Sequence, residues 1–331
     1  MPTPLAPLTT LRVGGSASTF IRASSDAELI DAITQHPGAE IIGGGSNVVI
    51  SDDGLDTVIS VATSGIAIER SDDVVVITAA AGESWDELVT TAVDHQWSGI
   101  EAMSGIPGLV GAAPMQNIGA YGQELAERCV SVRVFDKHAG EVIELGGAAC
   151  AFGYRSSRFK VESGRFVVLS VTLRLSTTGL GTVKYAQLAE RLGVRVGDAA
   201  PSSEILTAVR ELRAAKGMLL DPVDHDTWST GSFFTNPIVD AVAPAGCPTY
   251  PGQSGVKLSA AWLIEHAGMQ RGFGLNERAT VSTKHTLALT NRGNASAHDI
   301  VELANVIVER VDDAFGIQLE IEPRLLGRFG E

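Results

Sequence analysis

Ser104-Gly-Ile-Pro-Gly-Leu-Val-Gly-Ala-Ala-Pro-Met-Gln-Asn-Ile-Gly-Ala-Tyr-Gly122 carries no charged residue and is rich in glycine, with two prolines. Glycine permits positive φ and close approach of a ligand to the backbone, and proline fixes the chain. The segment therefore reads as an ordered loop, neither regular helix nor strand, whose amides face something anionic. A second loop of this kind, Gly43-Gly-Gly-Ser-Asn47, directly follows the apolar pair Ile41-Ile42. Either loop alone reads as an ordinary structural turn. The two together, with an uncharged polar lining of Ser46, Asn47, Ser104, Gln116 and Asn117, point to a large phosphate-bearing cofactor.

Outward from the loops, the pattern repeats strand, glycine, helix. Residues 26–35 place Leu29, Ile30 and Ile33 on one face behind early acidic residues and predict a short amphipathic helix. Strands are predicted at Glu40 to Ile42, Val48 to Ile50 and Thr57 to Val61, closing a small βαβ-like unit near residue 66. The β-branched run Val74 to Ala81 is followed by Gly82 and a helix from Ser84 to His95, with Asp86 and Glu87 in its first turn. Val130 to Phe135 and Phe166 to Leu175 read as further strands flanking the polar stretch 151–160. A break falls after Leu175, before a helix from Ser202 to Lys216. Beyond a polar connection (221–230), the pattern gives a helix from Lys257 to His266, a strand from Thr286 to Thr290 and a long helix from His298 to Phe315. The tail 317–325 alternates with period two, putting Gln318, Glu320, Glu322 and Arg324 on one face.

A chain of 331 residues with 44% hydrophobic composition can bury a substantial core and is long enough for two or three domains. Its formal charge of −14 argues against a general nucleic-acid or anionic-membrane surface, so an anionic ligand must be met by a local basic cluster or by backbone amides. Cys129, Cys150 and Cys247 are odd in number and far apart, which fits buried thiols in a reducing compartment, with no disulfide framework and no metal site. The N-terminus has neither a basic n-region nor an apolar h-region, and a cytoplasmic protein without membrane insertion is expected.

The usual nucleotide fingerprints are absent: the Gly43 loop lacks the Lys-Ser/Thr ending of a P-loop, and no GxGxxG leads from a strand into a helix. Four clusters stand out beyond the loops. Phe152-Gly-Tyr-Arg-Ser-Ser-Arg-Phe-Lys160 sets Arg155, Arg158 and Lys160 between strands, where an exposed basic loop is an equal reading. Ser232 lies in Gly231-Ser-Phe-Phe-Thr-Asn-Pro237, where a turn or capping serine is the simpler reading, and no GxSxG elbow surrounds it. Arg213 and Lys216 sit near a helix C-terminus, which favours basic side chains anyway. Glu322 and Arg324 share a strand face, as a solvated ion pair would.

The order and spacing of ten stretches resemble the UDP-N-acetylenolpyruvoylglucosamine reductase (MurB) family over nearly the whole chain. They are Leu11-Arg-Val-Gly-Gly15, Gly43 to Asn47, Ala81-Gly-Glu-Ser-Trp85, Ser104 to Gly108, Gln116 to Gly122, Phe152-Gly-Tyr-Arg155, Gly231-Ser-Phe-Phe234, Lys257-Leu-Ser-Ala-Ala-Trp262, Val281-Ser-Thr-Lys-His285 and Leu319-Glu-Ile-Glu322. The segment around Tyr185 resembles the subfamily that closes a tyrosine-bearing loop over its substrate.

The resemblance implies an α+β fold, the FAD-binding fold of the vanillyl-alcohol-oxidase type. The implied division is an FAD-binding subdomain at 1–66, a second at 67–216, a substrate-binding domain at 217–319 and a tail, 320–331, returning to the FAD-binding region. It implies FAD and NADPH as cofactors and UDP-N-acetylglucosamine enolpyruvate as substrate, in peptidoglycan precursor synthesis, with a monomer expected. Matched residue by residue, Arg155, Ser232 and Glu322 are the implied catalytic group. Cofactor contacts are implied for Ile42, Gly43, Gly44, Gly45, Ser46, Asn47, Ser104, Gly105, Pro107, Gly108, Gly111, Ala112, Ala113, Pro114, Ile118, Gly119, Gly122, Arg155 and Leu169. Substrate contacts are implied for Tyr121, Tyr185, Arg213, Lys216, Asn236, Lys257 and Arg324.

Two departures stand out. Pro323 replaces the family's usual valine and removes an N–H, which places that strand at an edge or end. Gly217 to Leu220 lengthens the link after Lys216. The nearest alternative is an oxidase of sugars or lactones on the same fold. Such oxidases often tether the flavin through a histidine in the first loop, and Gly43 to Asn47 contains none. A nonenzymatic nucleotide-sugar binding module would explain the basic residues but not the paired glycine loops.

Overall fold

The computed structural model describes residues 1–252 and 255–329. By backbone proximity the chain divides into two compact units. One comprises Ile21–Gly43 and Ile59–Ala214. The other comprises Met1–Phe20, Gly44–Val58 and the chain from Ala215 onward.

The first unit is built on a five-stranded antiparallel sheet in the order Glu141–Gly146, Cys129–Asp136, Phe166–Ser176, Val74–Ala80, Ile66–Arg70. Val74–Ala80 alternates as a half-buried strand must: Val75, Ile77 and Ala79 enter the core, and the residues between them stay partly exposed. Three helices expected from periodicity are present. Helix α1 (Asp26–Gln35) is capped by Ser25, which accepts from the Glu28 amide, and packs Leu29, Ala32 and Ile33 against Phe135, Val167 and Leu169. Helix α2 (Trp85–Asp94) is capped by Ser84 and begins with Asp86 and Glu87. After the short helix α3 (Arg158–Val161), the chain makes a hairpin of Leu180–Thr182 with Ala199–Pro201. Helix α4 (Ala186–Leu192) lies inside it, and the third expected helix, α5 (Ser202–Ala215), follows.

Periodicity passed over the strands Ile66–Arg70 and Glu141–Gly146. Every residue of Ile66–Arg70 is exposed, so this edge strand carries no contrast between an inner and an outer face. The glycine-rich loop also differs from its sequence reading. It contains a 3-10 helix, Val110–Gln116, closed by Asn117 in a left-handed conformation. Small residues allow this turn to lie against the end of the strand Val74–Ala80, where the Gly111 amide donates to the Ala81 carbonyl (2.8 Å). A Cβ on Gly111 would come within 2.6 Å of the Ala81 Cβ. Gly111→Ala should therefore destabilise the protein by about 1–3 kcal/mol, read as a lower urea midpoint. An unchanged midpoint would show that the turn can move away from Ala81.

The second unit gathers Leu11, Val13 and Val49 with Phe233, Phe234 and the apolar faces of two helices, α6 (Ala260–His266) and α7 (Ala297–Phe315). Helix α7 matches its sequence reading. It starts in a capping box between Ser296 and Asp299 and stops at Gly316, whose φ is 64°. Helix α6 begins later than expected, because Ser259 caps it and Lys257 lies on the strand Val256–Leu258. The strand expected at Thr286 to Thr290 is confined to Leu289–Asn291, since the Ala288 amide turns back to the His285 carbonyl (3.0 Å). In the tail only Arg324–Leu326 forms a strand, parallel to Val48–Ile50. It starts directly after Pro323, whose missing N–H marks its end.

Candidate active site

In the first unit the long glycine loop is tied to the start of α2. Gly105 N–H and Ser104 Oγ donate to Asp86 Oδ1 at 2.5 and 3.2 Å, and Arg210 of α5 pairs with the same carboxylate at 3.1 Å. The amides of Gly105, Val110, Gly111, Ala112 and Ile118 are all committed to acceptors within the protein. A bound anion must draw its donors from the rest of the loop. Ala113, Pro114 and Ser104 are buried, Ile118 packs against the main core, and Leu169 is wholly buried in the cluster under α1. Ile42 is also buried, while Pro107, Gly108 and Gly119 are partly exposed and Ala112 and Gly122 exposed. Gly43 is partly exposed, facing Leu109 at 3.4 Å from its hypothetical Cβ.

Four of the expected polar residues meet in this unit. Arg155 sits in a tight turn in which Gly153 and Ser156 exchange both backbone bonds, and its own φ is 48°. Its Nη2 donates to the Gly119 carbonyl at 3.1 Å, while Lys160 Nζ donates to the Arg155 carbonyl at 3.0 Å. Tyr121, also left-handed, meets the edge of Tyr185 with ring centres 5.5 Å apart. Gly122, at φ 84°, lets the Tyr185 segment approach, since a Cβ there would lie 2.6 Å from that of Lys184. Arg213 is only 8% exposed. Burial pulls its pKa down, Tyr121 and Asp86 oppose this, and Arg155 adds to it. A guanidinium keeps its proton even so, so the unit holds a buried cation beside a phenol. Burial raises the Tyr121 pKa while Arg213 lowers it, leaving a protonated hydroxyl at neutral pH.

In the second unit, Ser232 and Glu322 lie on neighbouring backbones. Glu322 N–H donates to the Phe233 carbonyl (2.9 Å), Thr235 N–H to the Glu320 carbonyl (3.0 Å), and Phe234 bridges Ile321. The short glycine loop joins them: Arg324 N–H donates to the Asn47 carbonyl (3.1 Å) and Asn47 Nδ2 to the Glu322 carbonyl (3.5 Å). Ser46 is partly exposed, and Gly45 is buried with φ 60° against the Leu8 carbonyl. Gly44 opens onto a cavity of about 670 Å³ that Thr9, Thr10, Arg12, Asp221 and Trp228 help to line. Arg12 stacks over the Trp228 ring at 4.1 Å. The Thr9 and Thr10 hydroxyls donate to the Ala6 and Ser229 carbonyls, so a guanidinium and a glycine backbone are the donors this cavity offers a phosphate-bearing group.

Three further substrate candidates lie in this unit. Asn236 Oδ1 accepts from the Ala260 amide at the start of α6 (2.9 Å), and Lys257 Nζ lies 6.0 Å from the Tyr250 ring centre. Lys216 lies near His285. Burial first, then Lys216 and Arg271, lower the pKa of that imidazole to about 4, so it is neutral at physiological pH. Sequence reasoning did not single out Asp86, Arg210 or the Arg12–Trp228 stack, because each joins positions far apart in the chain. It took Asn117 as part of the loop lining, whereas the structure buries that side chain among protein partners.

Cys129 is half-buried, Cys150 and Cys247 are buried, and all three are free thiols. Among the described residues no helix is long and apolar enough to cross a membrane, and no cluster of three or more His, Cys, Asp or Glu could hold a metal ion.

Comparison with known proteins supplies the family. Residues 17–146 match the model of an FAD binding domain, and residues 221–326 match that of the UDP-N-acetylenolpyruvoylglucosamine reductase C-terminal domain. The chain is 48% identical to the UDP-N-acetylenolpyruvoylglucosamine reductase of Cutibacterium acnes, over 98% of this chain and 89% of that one. It is 45% identical to that of Streptomyces coelicolor at the same coverage. The crystal structure of UDP-N-acetylenolpyruvylglucosamine reductase (MurB) from Thermus caldophilus superposes with a TM-score of 0.67 at 26% identity, covering 99% of this chain and 98% of that chain. The fold is thus α+β with an FAD-binding domain, and the chain belongs to the UDP-N-acetylenolpyruvoylglucosamine reductase family.

Proposed function

We propose that this protein catalyses the NADPH-dependent, FAD-mediated reduction of UDP-N-acetylglucosamine enolpyruvate to UDP-N-acetylmuramate in peptidoglycan precursor synthesis. The observation that carries the reading is the backbone pairing of the Ser232 and Glu322 segments beside the Asn47 loop, which ties two implied catalytic residues to an implied cofactor loop. When bound, FAD would supply the hydride chemistry that links NADPH to the terminal carbon of the enolpyruvyl group.

The protein's own part is charge and proton placement. Hydride addition pushes negative charge toward the substrate carboxylate. Arg155 and Glu322 stabilise it together, by a preorganised charge and hydrogen bond. Ser232 delivers the proton to the adjacent carbon. A hydroxyl suffices there because a carbanion-like carbon is strongly basic and the donor need only be well aimed. Arg213, Lys216, Lys257 and Arg324 supply cations for the UDP pyrophosphate and carboxylate, with Tyr121, Tyr185 and Asn236 completing the contacts. Main-chain donors of the Gly43 and Ser104 loops hold the FAD pyrophosphate without charged side chains, in keeping with an acidic protein. The reading includes the division into FAD-binding subdomains at 1–66 and 67–216, a substrate domain at 217–319 and a returning tail. It also includes a cytoplasmic monomer.

The purified protein should be yellow with a flavin spectrum, bleach with NADPH in the absence of oxygen, and recolour on adding the enolpyruvyl substrate. A colourless protein would favour a binding module, and a bleached protein that the substrate does not recolour would refute the assigned acceptor.

A further inference from the structure

Asn117 belongs to the glycine-rich loop, yet its side chain points into protein. It is 1% exposed and has φ 48° and ψ 67°. Its Nδ2 donates to Glu124 Oε2 at 2.9 Å and to the Gly153 carbonyl at 3.1 Å, and its Oδ1 accepts from the Ala126 amide at 2.9 Å. The amide group thus has partners on both of its polar atoms. Those partners come from three places: the strand after the loop, the turn that follows it, and the turn that carries Arg155.

The Gly153 carbonyl is the informative partner. Gly153 is one end of the four-residue turn closed by its mutual bonds with Ser156, and Arg155 lies inside that turn. Arg155 Nη2 returns to the Gly119 carbonyl, two residues beyond Asn117. A second tie runs the same way, from Ser157 Oγ to the Met115 carbonyl at 2.6 Å. The turn and the loop are therefore joined at both ends, and the guanidinium is aimed by the loop to which Asn117 binds the turn. A buried amide that satisfies several backbone and side-chain partners at once holds geometry better than its net stability suggests, because each partner would otherwise be stranded.

We infer that Asn117 is a positioning residue for Arg155, setting where the guanidinium stands when the substrate carboxylate gains charge. This inference rests on the function proposed above. The side chain touches neither substrate nor cofactor in this role. Its effect passes through the Gly153 turn.

Asn117→Gly is the variant of choice, since glycine keeps the left-handed backbone without strain and removes only the amide. In the holoenzyme it should leave flavin reduction by NADPH within about threefold of wild type, and lower kcat for the enolpyruvyl substrate about 10- to 50-fold with little change in KM. Combined with Arg155→Ala it should cost no more than about twofold beyond Arg155→Ala alone, because two changes acting through one group are not additive. Without any assay of turnover, hydrogen exchange of residues 152–157 should accelerate while that of the strand Phe166–Ser176 stays unchanged. Asn117→Asp keeps the acceptor for the Ala126 amide but sets a carboxylate against the Gly153 carbonyl and Glu124, and should show the same pattern. Additive losses in the double variant would overturn the inference, as would equal slowing of both half-reactions, or unfolding or loss of flavin in both Asn117 variants. A wild-type protein inactive on the enolpyruvyl substrate would instead refute the proposed function and leave the hydrogen-exchange result to stand by itself.

Discussion

Replacing Ser232 by alanine is expected to leave reduction of the flavin by NADPH nearly intact while slowing its reoxidation by the enolpyruvyl substrate by a factor of about 10² or more. The two halves separate because only the second needs a proton delivered to carbon. The backbone around Ser232 is gripped on both sides: Gly231 N–H donates to Ser229 Oγ at 3.2 Å, and Phe233 donates to the Leu287 carbonyl and accepts from Glu322. Removing one oxygen from this frame should leave the fold in place. A hundredfold loss corresponds to about 2.7 kcal/mol at the transition state, within the range of a single well-aimed proton donor. Rapid-mixing absorbance at the flavin band measures both steps. Equal slowing of the two, or a solvent isotope effect on reoxidation that survives the substitution unchanged, would remove Ser232 from the proton's path.

Arg155→Ala should be costlier, lowering the rate of the substrate half-reaction by about 10² to 10³, as loss of a preorganised charge partner does. Arg155→Lys should recover only part of this. A lysine carries the charge but cannot keep one nitrogen on the Gly119 carbonyl while presenting a planar fork to a carboxylate. Loss of rate at saturating substrate, with KM changed less, would mark an interaction made chiefly in the transition state. If alanine raised only KM, Arg155 would be a ground-state anchor and the stabilising charge would have to be sought elsewhere.

How much of this was legible beforehand depends on the range of the interactions. Helices α1, α2 and α7 are legible from periodicity and capping, because Ser25, Ser84 and Ser296 announce their starts within a few residues, and α5 from periodicity alone. Strands with a uniform exterior, such as Ile66–Arg70, have no such contrast to read. Helix α6 was placed too early because Lys257-Leu-Ser259 fits a helical face as well as a strand followed by a cap. At the site, the glycine loops were visible as composition and the family resemblance supplied Arg155, Ser232 and Glu322. What no local pattern shows is which atoms a loop spends on itself. The Asp86 carboxylate under Ser104 and Gly105, and the Asn117 amide under Gly153, become visible only when segments distant in sequence are brought together.

Of the described residues other than glycine, only six have positive φ, and Arg12, Asn117, Tyr121 and Arg155 are among them. Each such residue costs on the order of 1 kcal/mol relative to a relaxed backbone. Arg12 lines the Gly44 cavity, Tyr121 and Arg155 act on the buried Arg213, and Asn117 holds the Arg155 turn. Selection for heat tolerance would find glycine an easy gain at Arg12, Tyr121 or Arg155, whereas at Asn117 the stranded partners of its amide would outweigh the relief. The thermal ceiling of this chain is therefore set in part by contorted peptides at its candidate site.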